Sequence, residues 1–143
     1  MGLRKIVVVS LVLGVVANLI DFVVQGNLLA GYYAQAPFRQ INNIAWLVVG
    51  DFVAAAVFAV VYARIAGSFK PGPAGGAELG LYCGVLVSFP TNIFLYLLID
   101  GLTYGLAWIW TFYGMIWYVV LGAVAGAVFG RRPVAAAVPS TAV

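Results

Sequence analysis

Four long runs of apolar residues, broken by three short polar stretches, organise this chain. They cover about 3–24, 44–65, 77–99 and 105–129. Crossing about 30 Å of hydrocarbon takes about 20 residues at 1.5 Å each, and every run reaches that length. The runs are solidly apolar and do not alternate, so strands of a membrane barrel are a poor fit. The pattern predicts an all-α integral membrane protein: one domain, 1–130, folded as a compact four-helix bundle. A short flexible tail, 131–143, should follow it. The first run also has the outline of a signal peptide, with Val15-Val16-Ala17 as a cleavage site. Its apolar stretch continues through Leu19, Ile20, Phe22, Val23 and Val24, so it reads as a retained span.

The connections differ in kind. Residues 25–43 mix Gln25, Asn27, Gln35, Arg39 and Asn42 with Leu28, Tyr32, Tyr33 and Phe38, as a segment lying among headgroups would. Residues 66–76 hold Pro71, Pro73 and four glycines and read as a tight turn. The third connection centres on Asp100-Gly101.

Within the runs, small and polar residues fall on helical stripes. The first run carries Ser10, Gly14, Asn18, Asp21 and Gln25. The second carries Gly50, Asp51, Ala54, Ala55 and Ala59. The third carries Gly80, Gly84, Ser88 and Asn92, and the fourth Gly114, Tyr118, Gly122, Gly126 and Gly130. Lipid gives helices no hydrophobic reason to associate, so close backbone approach at small residues becomes the adhesive. Gly14, Gly50, Gly80, Gly84, Gly114, Gly122 and Gly126 are therefore the expected packing positions.

Composition agrees with the pattern. Of 143 residues, 65% are hydrophobic and only 8% charged, against about 25% charged in soluble domains. A net charge of +3 is too small and dispersed for a nucleic-acid surface. With no His and a single Cys, Cys83, imidazole catalysis, a disulfide and a thiolate metal site are excluded. No nucleophile constellation or phosphate-binding loop occurs, so neither an enzyme nor a cofactor or metal is expected. Basic residues set the orientation: Arg4, Lys5, Arg64, Lys70, Arg131 and Arg132 fall on one side of four spans, and Arg39 on the other. Both termini should then face the cytoplasm. Tyr104, Trp108 and Trp110 would mark the outer interface. Glu78 and Asp100, at the two ends of the third run, read as solvated ends.

The order Gly14-x-x-x-Asn18-x-x-Asp21-Phe22, Gly50-Asp51-Phe52, Tyr62-Ala-Arg-Ile65 and Phe69-Lys-Pro71-Gly72-Pro73 resembles a family of small uncharacterised bacterial proteins with four transmembrane helices. The sequence departs from that pattern at Gly75 and Gly76, where a threonine is expected after the turn. The resemblance implies a bundle in the bacterial inner (plasma) membrane. It implies no activity, substrate or cofactor.

Depth singles out the candidate chemistry. Counting from the outer ends of the runs, Asp51 and Asn92 lie roughly 10 Å deep, Asn18 roughly 9 Å and Asp21 roughly 5 Å. Thr91 accompanies Asn92, and Pro90 should free a backbone carbonyl beside them. Asn18, Asp21, Asp51, Thr91 and Asn92 therefore form an expected polar layer, with Asp51 near Asn18 and Asn92. No Lys or Arg lies at membrane depth as a counter-ion, since Arg4, Lys5 and Arg64 fall at the opposite ends of their runs. Two functions fit. One is a structural or accessory membrane protein acting by helix packing, as a homo-oligomer or with other membrane subunits. The alternative is a small transporter or channel handling protons or cations through the Asp/Asn layer. Beyond the lipid bilayer and such subunits, no partner is expected.

Overall fold

The structure, a computed structural model, describes residues 2–34 and 44–130. These are helical apart from the connections, with no strand among them. Helix α1 spans Leu3–Val23 and runs on through a π-helical segment, Val24–Leu28, into the short α2, Ala30–Tyr33. Helix α3 spans Ala45–Ile65 and ends in a 3₁₀ turn, Ala66–Ser68. Helices α4, Pro73–Leu98, and α5, Tyr104–Phe129, follow. Four of these helices are long and apolar enough to cross a membrane. The tail at 131–143 and residues 35–43 of the polar loop lie outside the described residues.

The third span starts earlier than its hydropathy suggests. Pro73 occupies its first turn, where the missing N–H costs nothing and the fixed φ already suits a helix. Gly72, at φ 87°, supplies the left-handed residue that turns the chain into it. Gly75 and Gly76, expected in the turn, are instead helical and buried.

Helices α4 and α5 form an antiparallel hairpin with almost no side chains between them. A Cβ on Gly76 would collide with the carbonyl of Gly122, and one on Gly122 with the carbonyl of Gly76. Gly80 faces the Tyr118 carbonyl, and Gly126 the carbonyl of Gly72. A Cβ on Gly84 would stand 2.8 Å from the Met115 Cα, and Gly114 is covered by the Ser88 side chain. The expected stripes thus face each other along most of the hairpin.

Helices α1 and α3 pack differently. Gly14 is a socket into which the Phe52 ring fits. Around it Val9, Leu13, Ala17, Ala55, Phe58 and Ala59 are buried, joined from α5 by Trp117, Leu121 and Ala125. At one end Tyr62 stacks on Phe129, with centroids 5.2 Å apart. There too Lys5 donates from Nζ to the Phe129 carbonyl at 2.6 Å. The four spans do not close evenly. Helices α1, α3 and α5 build most of the core, to which α4 adds Leu79; α4 otherwise packs on α5 and on the turn before it, without an extensive face on α1 or α3. Gly50 corrects the packing expectation. It is exposed, and a Cβ there would meet nothing within 4 Å, because α3 turns its Phe52 and Ala55 faces toward α1.

Large aliphatic side chains face outward elsewhere. Leu86, Leu97 and Leu98 on α4, and Leu19 and Phe22 on α1, are each more than 60% exposed. Such a surface suits hydrocarbon and not water.

Candidate functional site

At the end of the molecule away from Lys5, three spans bring polar side chains together. Asp21 lies about 27 Å along α1 from Leu3, in its last turn. Asp51 lies in the second turn of α3. The two carboxyl groups lie close enough to act on each other electrostatically. Tyr113 of α5 donates its hydroxyl to Asp21 Oδ1, tying the third helix to the pair.

A second polar cluster lies beyond the first, toward the loop. The π-helical segment begins three residues after Asp21 and widens the helix by one residue per turn. Its geometry shows in two i to i−5 contacts: the Leu29 N–H donates to the Val24 carbonyl at 2.8 Å, and Asn27 Nδ2 to the Phe22 carbonyl at 2.7 Å. Gln25 sits in this segment, and its Oε1 accepts from the Tyr33 hydroxyl. Trp110 Nε1 donates to the same hydroxyl at 2.9 Å, with the two rings 6.2 Å apart. Burial, the larger cause, and the negative field of Asp21 push the Tyr33 phenol above its usual value, against the lowering effect of the Trp110 hydrogen bond. Trp110 and Tyr113 are three residues apart on α5 and so share a face.

Toward the basic end the surroundings change abruptly. Below the pair come Ala17, Leu13 and Val9 of α1, Ala55, Phe58 and Ala59 of α3, and Leu121 and Ala125 of α5, all buried and apolar. The polar groups are partly buried, and apolar packing closes their side toward the basic end.

The remaining expected residues do not join the pair. Asn18 turns its amide back to the Gly14 carbonyl at 2.8 Å, and Asn92 does the same to the Ser88 carbonyl at 2.8 Å. Thr91 is exposed. Ser88 packs on Gly114 from one side of α5, while Tyr113 reaches Asp21 on the other. Helix α5 therefore stands between Asn92 and the carboxyls: equal depth did not mean a shared side. Asp51 meets Asp21 in place of Asn18 and Asn92. Glu78 and Asp100 are exposed, but only Asp100, two residues past α4, lies at a helix end, because α4 begins early at Pro73 and puts Glu78 in its second turn. Tyr113 and Tyr33 were not singled out by the sequence, and Trp110 read only as part of the aromatic belt. The available signal was the three-residue spacing of Trp110 and Tyr113 at the depth of Asp21.

No group of three His, Cys, Asp or Glu side chains among the described residues could hold a metal ion. Comparison with known proteins finds no matching family model, no similar curated protein and no similar solved structure.

Proposed function

We propose that this is a multi-pass protein of the plasma membrane that handles protons, or small monovalent cations in their place, through the Asp21–Asp51 pair. The observation that carries the reading is the meeting of two carboxyls from different spans, bridged to a third by Tyr113, with the basic residues of α1 and α3 confined to the opposite ends of those spans. Ionisable groups at membrane depth are costly to bury and mark ion pathways when they face a protein interior. Two carboxyls sharing one proton form a site that a second cation can occupy only by displacing that proton.

Orientation follows the basic residues, with both termini cytoplasmic and the carboxyl pair facing the outside. The Gln25–Tyr33 cluster is then the outer entrance. The apolar core beneath excludes a standing pore, so ions cross only when the helices rearrange, as in a transporter and not an open channel. The packing role suggested by the glycine stripes is consumed within one molecule, because Gly76, Gly80, Gly84, Gly114, Gly122 and Gly126 all face the partner helix of the same hairpin. That leaves the accessory reading without a free glycine face to support it.

Proteoliposomes enclosing a pH-sensitive dye test the proposal. Wild-type protein should dissipate an imposed pH gradient faster than empty vesicles, and Asp51→Asn should abolish the difference while remaining folded. Wild-type flux equal to that of empty vesicles, or unchanged flux in Asp51→Asn, would overturn it.

A further inference from the structure

A second feature lies at the opposite end of the protein. Between the first turns of α1 and the last turns of α3 a cleft of about 360 Å³ opens, lined by Leu3, Ile6, Val60, Ala63 and Arg64. Four of its five lining residues are apolar, and the fifth is a cation at the end of a span. Among the described residues no acidic side chain is placed to pair with Arg64. The chain has four acidic residues. Asp21, Asp51 and Asp100 lie at the other end, and Glu78 sits on α4, which has no extensive face on α1 or α3. The neighbouring Lys5 is turned the other way, onto the Phe129 carbonyl and within 5.8 Å of that ring. The cleft therefore pairs an apolar slot, open on the lipid-facing side, with an uncompensated guanidinium at headgroup level.

We propose that this cleft binds one anionic phospholipid, with an acyl chain against Ile6, Val60 and Ala63 and the phosphate on Arg64. The guanidinium fork matches two phosphate oxygens at once, which a lysine could not do. A zwitterionic lipid presents the same phosphate with its own cation beside it, and that cation opposes Arg64. The selectivity is therefore for net negative headgroups. Arg4 and Lys70 add only a diffuse attraction at this end. The site is independent of the carboxyl pair and of whether that pair moves ions.

Native mass spectrometry of the full chain in detergent, with phosphatidylglycerol and phosphatidylcholine at equal concentration, tests it. Wild-type protein should retain phosphatidylglycerol in about tenfold preference, the scale of one charge-assisted contact. Arg64→Gln should remove most of that preference, and Arg4→Gln should leave it. Ala63→Phe, which fills the slot, should lower retention of both lipids. Excess inorganic phosphate should not displace the bound lipid. Four results would overturn the proposal: an unchanged preference in Arg64→Gln, an equal loss in Arg4→Gln, unaltered retention in Ala63→Phe, or displacement by phosphate.

Discussion

Replacing Gly122 by alanine should destabilise the protein far more than one methyl group normally does. The added Cβ would lie inside the Gly76 carbonyl, with the Gly80 Cα 3.1 Å away. Both obstacles are backbone in a neighbouring helix, so no rotamer change relieves the overlap. The helices must part by more than an ångström near the centre of the hairpin. A gap of 0.5–1 Å already forfeits a quarter to a half of each dispersion contact, and the loss spreads to the Gly80 and Gly126 contacts on either side. Overpacking costs about 1–3 kcal/mol where side chains can yield, so about 3 kcal/mol or more is expected here. Gly122→Leu should prevent hairpin closure altogether. Gly50→Ala is the control, since nothing lies within 4 Å of its Cβ and alanine favours the helix by about 1 kcal/mol. Gly14→Ala should fall between them, because its obstacle is the Phe52 ring. Equilibrium unfolding in mixed micelles, followed by helical signal against mole fraction of denaturing detergent, gives the ranking. Equal midpoints for Gly122→Ala and Gly50→Ala would refute the close-packed hairpin.

Other consequences can be measured independently. Single cysteines at Lys70 and Gln40 should label from opposite faces in intact cells, with the impermeant reagent reaching position 40 and not position 70; the reverse would invert the orientation. Tyr113→Phe removes the donor to Asp21 and should cost about 1–2 kcal/mol in stability while leaving the carboxyl pair in place, and a flux below one-tenth of wild type would mark the hydroxyl as part of the ion path. Lys5→Met should cost about 1 kcal/mol, read in the same unfolding assay, because the Phe129 carbonyl loses its charged donor. The raised Tyr33 phenol binds its proton more tightly folded than unfolded, so stability should be constant below the ordinary tyrosine value and fall as pH rises from there through the folded one. Tyr33→Phe should flatten that alkaline decline, which unfolding titrations across this range would show.

The sequence and the structure agree where one-dimensional spacing determines the outcome. Glycine every fourth residue in both later runs predicts a face, and each face finds the other because nothing larger could sit there. Hydropathy locates the spans but misplaces the start of α4, since Pro73 and the two glycines after it are poor hydrophobes. They are nonetheless helical, held by the helix start and by the Gly76–Gly122 contact. The polar layer was legible in depth and not in direction. Asp21 and Asp51 meet because α1 and α3 pack through Gly14 and Phe52, which fixes their rotation. Asn18, on the same stripe as Asp21, satisfies its amide on its own helix. Nothing in the spacing distinguishes those two outcomes, because the choice depends on which neighbour arrives. The aromatic partners were obscured for a different reason: at an interface, tryptophan and tyrosine are expected anyway, so their spacing carries little information.

The two kinds of packing also determine which parts of the molecule can move. The α4/α5 hairpin is joined backbone to backbone, and sliding it by even a fraction of a turn would drive Tyr118 or Met115 into the glycine face. It is a rigid block. Helices α1, α3 and α5 meet one another through side chains: the Phe52 socket and the Asp21–Asp51 approach between α1 and α3, the Leu13 and Leu121 core, and the Asp21–Tyr113 hydrogen bond. On the proposed function, removing a proton shared by the pair leaves two carboxylates repelling each other where α1, α3 and α5 meet in polar contact. The helices free to respond are α1 and α3, and the π-helical segment directly after Asp21 gives α1 an end that can re-register by one residue. Protonation at the pair would then act by drawing α3 and α1 onto a fixed α4/α5 block. Cysteines at Asn18 and Val48, spin-labelled in separate pairings with Ile116 on the block, should report a distance change with pH for both, while a pair within the block, Leu86 and Phe112, should report none. A pH-dependent change confined to the α4/α5 pair would reverse the assignment of which hairpin moves.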